Sequence, residues 1–223
     1  MTDTLSATPV DDTTPYEVYI SGNEDFLIPI VFPDYDVQVV GEQSFEVFGY
    51  KISTPKIKAP YLGHAGVILI NGETGLTRYY EYGRYPNPNS DIPGNVRKID
   101  VSDVVIKNGL ITESSLKRLL REVSGRAGDR SRISGVVLRG DFFSEADDWL
   151  RTIRAQNNSP DKIEYDVDSH NCMTFTIDLA DHLGLDTSWR PPVVVPSAYI
   201  EQFQLSQIDL DYDYETDTLE VSE

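Results

Sequence analysis

Short runs rich in Val, Ile, Phe and Tyr at Tyr16–Ile20, Phe26–Phe32, Asp36–Val40 and Ser44–Tyr50 predict a series of strands in the first part of the chain. Pro29 and Pro33 place the second of these at a sheet edge or a strand end, because proline has no N–H to give to a ladder. The clearest pattern comes next. His64–Ile70 is an apolar strand, Asn71-Gly72-Glu73-Thr74-Gly75 a turn, and Thr77–Tyr82 the returning strand. Pairing Ile70 with Thr77 sets Gly66 opposite Glu81 and His64 opposite Gly83, which makes His64 and Glu81 diagonal neighbours on one face. Tyr79, Tyr80, Tyr82 and Tyr85 are expected around that carboxylate, and a register slip of one residue would send Glu81 to the other side.

Further on, strands are expected at Asn95–Val101, Val104–Ile106 and Ile133–Leu138, and the period changes to that of helices between them. Leu116, Leu119, Leu120 and Val123 form one apolar stripe in a helix from Thr112, with Gly125 as its stop. Ser144 opens a second helix with Ala146, Trp149, Leu150 and Ile153 inward, ended by Asn157-Asn158-Ser159-Pro160. A third starts at Asn171 or Cys172, capped by Ser169 or Asn171; Cys172, Phe175, Thr176, Leu179 and Leu183 share a face and Gly184 ends it. A short helix around Tyr199–Phe203 follows Pro196. The pattern is α+β: an antiparallel sheet packed against helices, in one domain over 16–206 with its core at 61–203. A disordered acidic leader, 1–15, and an acidic, solvated tail, 207–223, flank it.

Charge sharpens this division. The chain has 223 residues and a net charge of −18. Residues 1–50 hold ten carboxylates and no Lys or Arg, and 207–223 hold seven and again none. All 19 bases therefore lie in the nearly neutral middle. Nothing supplies a phosphate-neutralising patch, so nucleic acid is not an expected partner. No apolar run is long enough to span a bilayer, and Met1-Thr2-Asp3-Thr4 lacks the features of a signal peptide, so synthesis in the cytoplasm is expected. The single cysteine excludes an internal disulfide. There is no H-E-x-x-H, Walker loop or G-x-S-x-G, and neither metal nor cofactor is expected. Asp209, Asp211, Asp213, Glu215, Asp217 and Glu220 have EF-hand-like spacing, but Tyr214 stands where that loop needs glycine and no exit helix follows.

Candidate chemistry centres on Cys172 and His64. A cysteine in an amphipathic helix is ordinarily a small core residue, and a histidine at a strand start is ordinarily structural. Cys172, however, falls on the first helical turn, where the helix dipole and free N–H groups favour a thiolate. His64 would act as its base, and the Cys172 N–H would serve as an oxyanion donor. Glu81 is the first choice to hold the imidazole, with Asn171 or a backbone carbonyl behind it. Gly63, Ala65 and Gly66 leave room for a substrate backbone. His170, Tyr80 and Tyr82 complete the expected lining. His182 lies near a helix C-terminus, where its charge suits the dipole.

Gly63-His64-Ala65-Gly66 preceding Asn171-Cys172-x-x-Phe175 resembles the permuted papain-like arrangement of the NlpC/P60 superfamily, in which the histidine strand precedes the cysteine helix. The resemblance covers roughly 61–203 and implies a permuted papain-like fold, Cys172 as nucleophile, His64 as base and a polar third residue on the next strand. A histidine is common at that third position; this chain has none at 77–83. More narrowly, the chain resembles type VI secretion effectors of that superfamily. That implies an antibacterial toxin, a monomer that hydrolyses amides in peptidoglycan stem peptides in the target-cell periplasm, with a carrier in the secretion apparatus and a cognate immunity protein. Two other readings stay open: a lipid- or protein-directed thiol acyl hydrolase or acyltransferase using the same dyad, and a non-catalytic adaptor binding through its acidic segments.

Overall fold

The computed structural model describes residues 24–40, 44–47, 50–53, 57–59, 63–192 and 194–222; the expected leader and the strand at 16–20 lie outside them. Strand β1 (Asp25–Phe32) is followed by two small antiparallel pairs, β2 (Val37–Val40) with β5 (Ile57–Ala59) and β3 (Ser44–Val47) with β4 (Tyr50–Ser53). Then come β6 (His64–Ile70), β7 (Thr77–Gly83), β8 (Asn95–Ile99), the short pair β9 (Ile106–Lys107) and β10 (Leu110–Ile111), and helix α1 (Glu113–Ala127). Strand β11 (Ile133–Gly140), α2 (Phe143–Ala155), α3 (Cys172–His182), α4 (Pro196–Gln204), β12 (Ile208–Asp213) and β13 (Thr218–Ser222) complete the chain. Among the described residues the main sheet has seven antiparallel strands in the order β13-β12-β11-β1-β6-β7-β8. The α+β class is as expected.

Alternation along the central strands builds two cores. Leu27, Val31, Ala65, Val67 and Leu69 point to one face, where they meet Ala146 and Leu150 of α2, Cys172, Phe175 and Leu179 of α3, and Tyr199 and Phe203 of α4. Phe26, Ile28, Ile30, Ile68 and Ile70 point to the other, where Leu116, Leu119, Leu120 and Val123 of α1 cover them. A strand covered on both faces needs a continuous apolar run, and β1 and β6 have one.

Several expectations change here. Strand β1 is central rather than an edge: it lies between β11 and β6. Its proline is accommodated by a gap in the ladder to β11 between Leu27↔Leu138 and Ile30↔Gly135, where Pro29 has no N–H to give. Helix α1 runs through Gly125 and ends at Gly128, whose N–H bonds to the Ser124 carbonyl. The acidic C-terminal segment is no solvated tail but a β-hairpin on the main sheet. In it Leu210, Tyr212 and Leu219 are buried, while carboxylates alternate with them outward. An extended hairpin cannot wrap ligands around one cation as an EF-hand loop does. Among the described residues no helix is long and apolar enough to cross a membrane.

Candidate active site

The β6–β7 hairpin has the register that its sequence predicts, with Ile70 opposite Thr77 and Gly66 opposite Glu81. His64 and Glu81 consequently meet: His64 Nε2 lies 3.1 Å from Glu81 Oε2. Gly63 makes this entry possible. It has φ +76°, and a Cβ there would press on Val31 and the Phe32 carbonyl of β1. Gly66 serves a different purpose from the one expected. A Cβ at Gly66 would fall 2.3 Å from the Tyr79 hydroxyl, so the glycine makes room for Tyr79 rather than for a substrate backbone.

Glu81 is fully buried, and His64, Arg97 and Tyr85 stabilise its ionised form. Tyr79 donates its hydroxyl to Oε2 at 2.9 Å. Arg97, opposite Glu81 on β8, donates to Oε1 from both Nε and Nη2. Tyr85 places its hydroxyl 2.9 Å from His64 Nε2, and the Arg97 guanidinium stacks 4.2 Å from the centre of the Tyr85 ring. Burial raises the Glu81 pKa, but hydrogen bonds and charges from His64 and Arg97 outweigh it and leave the carboxyl below its ordinary value.

Cys172, the first residue of α3, also meets this imidazole. Asn171 caps this helix, accepting from the N–H groups of Met173 (2.9 Å) and Thr174 (3.1 Å), while Thr174 Oγ1 accepts from the Asn171 N–H (2.9 Å). The Asn171 amide donates to the carbonyls of Val167 and Val194. Its side chain is thus spent on the cap and on anchoring the helix, leaving none for His64. Cys172 bears on His64 as a hydrogen-bond partner and as a charge. Burial lowers the His64 pKa, yet the Cys172 thiol and Glu81 together raise it to about 9.

A groove of about 750 Å³ opens beside His64, lined by Asp34, Tyr35, Arg84, Tyr85, Arg97 and Asp129 among others. Its lining is predominantly charged and aromatic. Cys172 is only 2% exposed, against 7% for His64. The Tyr35 ring packs 5.4 Å from that of His64. Burial, and after it nearby charges including that of Cys172, raise the pKa values of the Tyr35 and Tyr165 hydroxyls.

Three expected lining residues lie elsewhere. Tyr80 and Tyr82 point to the face of β7 opposite Glu81. The Tyr80 hydroxyl reaches Asp147 of α2, and Tyr82 donates to the Ile163 carbonyl and stacks between Tyr165 and Phe175. His170 packs edge-on against Tyr82 and lines a separate cavity of about 130 Å³ with Trp149 and Phe175. Arg97 and Tyr35 were not singled out in the sequence. The signal for Arg97 was available in principle, since a β8 register placing Val96 opposite Tyr82 puts Arg97 opposite Glu81.

Residues 27–183 match the family described as type VI secretion system effector TseH-like. The crystal structure of the type VI secretion system effector TseH is 68% identical to the chain, covering 91% of it and 100% of its own length, with a TM-score of 0.80. No curated protein matches.

Proposed function

Since the chain belongs to the family of TseH-like type VI secretion system effectors, we propose that it is a cysteine hydrolase injected into competing bacteria, where it cleaves amide bonds in peptidoglycan stem peptides. One observation carries the chemistry: an imidazole that meets both a buried carboxylate and the only thiol of the chain, which stands at a capped helix N-terminus. The order of elements, histidine strand before cysteine helix, fits a permuted papain-like catalytic domain.

In this mechanism His64 holds the Cys172 proton, and the thiolate attacks the amide carbonyl. The Cys172 N–H, one of the first-turn donors of α3 that have no intrahelical acceptor, steadies the oxyanion. His64 then protonates the leaving amine, and water, deprotonated by His64, releases the acyl group from sulfur. Glu81 stays ionised throughout and orients the ring. The charged groove suits a stem peptide, with its carboxylates and amino groups, better than an acyl chain, which would need an apolar channel. Delivery into the target periplasm, a carrier and an immunity protein follow from the effector role.

The test is digestion of purified peptidoglycan with mass spectrometry of the products. New stem-peptide fragments are the expected result and would name the bond; an unchanged sacculus would overturn the wall-hydrolase reading. An adaptor with a merely packed thiol would show slow, featureless alkylation of Cys172.

The pH dependence has a definite sign. The imidazolium persists to about pH 9, so kcat/KM is expected to fall as pH rises through that value. The same shift gives a stabilising contribution that is complete below about pH 6.5 and lost by pH 9 and above, to be read from Tm across that window.

A further inference from the structure

We propose that Arg97 is a positioning residue that sets the tautomer of His64 from two residues away, by keeping the buried Glu81 a pure hydrogen-bond acceptor. This rests on the Cys172–His64 reading given above and goes beyond it.

The argument starts from proton positions. For His64 to take a proton from Cys172, the ring nitrogen facing the thiol must be free to accept. Nε2 is engaged by Glu81 Oε2 at 3.1 Å and by the Tyr85 hydroxyl at 2.9 Å, which leaves Nδ1 for the thiol, so the remaining ring proton must then sit on Nε2. An ionised carboxylate can only accept, so it enforces that tautomer. A protonated carboxyl does the opposite: it donates to Nε2 and drives the ring proton to Nδ1, where the ring can no longer act as base toward sulfur. The ionisation state of Glu81 therefore decides whether the histidine is usable.

What keeps Glu81 ionised is identifiable. Its carboxylate is fully buried, a setting that by itself favours the neutral acid. The groups facing it are His64 from β6, Tyr79 on its own strand, Arg97 from β8, Tyr85 just beyond β7 and Tyr35 beyond β1; Cys172 acts from α3 through His64. The tyrosines are neutral donors or bystanders. His64 cannot serve as the permanent counter-charge, because its own charge comes and goes during turnover. Among the described residues Arg97 is the one fixed cation in contact with the carboxylate, donating twice to Oε1 and leaving Oε2 for His64 and Tyr79. Its stacking on Tyr85 holds the hydroxyl at Nε2 as well. The contacts of Arg97 are with the Glu81 carboxylate and the Tyr85 ring, so its effect runs through Glu81 and Tyr85.

The test uses the full chain and iodoacetamide, with Arg97→Met and Arg97→Lys. With Arg97 in place, the alkylation rate of Cys172 is expected to be nearly flat from pH 6 to 8. Arg97→Met is expected to be about tenfold slower or more near pH 6 and to recover as rising pH ionises Glu81, while Arg97→Lys stays within about threefold of the parent. If Arg97→Met does not fold, Arg97→Gln removes the charge and keeps a donor, with the same shift expected. A second readout is ¹⁵N NMR of His64 in the Cys172→Ala background at a pH where the ring is neutral. There the proton should lie on Nε2 with Arg97 present, and in Arg97→Met it should lie on Nδ1 while Glu81 is protonated and move to Nε2 once rising pH ionises it. An unchanged tautomer with a parental rate profile would overturn the proposal, as would a pH-independent slowing that lysine does not rescue. Neither readout uses peptidoglycan. Failure to digest cell wall with these shifts present would sink only the substrate assignment.

Discussion

Cys172→Ala and His64→Ala are each expected to lower stem-peptide release by about 10⁵-fold or more, because nucleophile and base act as a unit and losing either removes the covalent route. Glu81→Gln is expected to be less severe, about 10³- to 10⁴-fold. By analogy with the carboxylate of serine-protease triads, the geometry survives while the tautomer is lost. The ranking matters more than the size of each loss. If Glu81 merely packed, Glu81→Gln, nearly isosteric, would leave kcat close to that of the parent. If Cys172 were only a core residue, Cys172→Ala would leave product release unchanged. Measuring kcat and KM separately on soluble stem peptides checks both, with the losses expected in kcat.

The largest effect on stability is expected at Asp25, far from the thiol. Its carboxylate is 4% exposed and accepts four hydrogen bonds. Oδ1 takes the Gly72 N–H at 3.0 Å and the Asn71 amide at 3.1 Å, fixing the turn of the β6–β7 hairpin to β1. Oδ2 takes the N–H groups of Phe142 (3.1 Å) and Phe143 (2.7 Å) at the start of α2, a helix whose own N-cap residue supplies no side-chain bond. Asp25 therefore caps α2 from a distant strand and puts a negative charge at its dipole's positive end. Asp25→Ala strands these donors in a buried site and is expected to cost about 3–5 kcal/mol, with Asp25→Asn intermediate. Denaturant unfolding of both variants checks this. A loss below about 1 kcal/mol for Asp25→Ala would mean that water replaces the carboxylate.

Local rules carried far in this chain. The tight turn and the alternation of β6 and β7 fixed their register, and with it the meeting of His64 and Glu81. Asn171 and Thr174, three residues apart, form the capping box that puts Cys172 at a helix tip. Alternation, followed strictly, also sends Tyr80 and Tyr82 to the face away from Glu81, so placing them at the site departed from the pattern itself. Elsewhere the pattern was insufficient. A proline and a run of carboxylates are local signals of edges and solvated tails, and both were overridden. β1 became the middle of the sheet by giving up part of one ladder, and the C-terminal segment became a hairpin by burying Leu210, Tyr212 and Leu219 behind its carboxylates.

The sequence alone thus determined the hairpin and the capped helix, and with them the placement of His64 and Cys172, because each depends on interactions within a few positions along the chain. Only the tertiary structure decided that Arg97 pins Glu81, that Asn171 is consumed by its helix, and that Asp25 caps a helix 118 residues away. Those contacts depend on how separate elements dock. Docking is set by the burial of whole faces, and no short stretch of sequence encodes it.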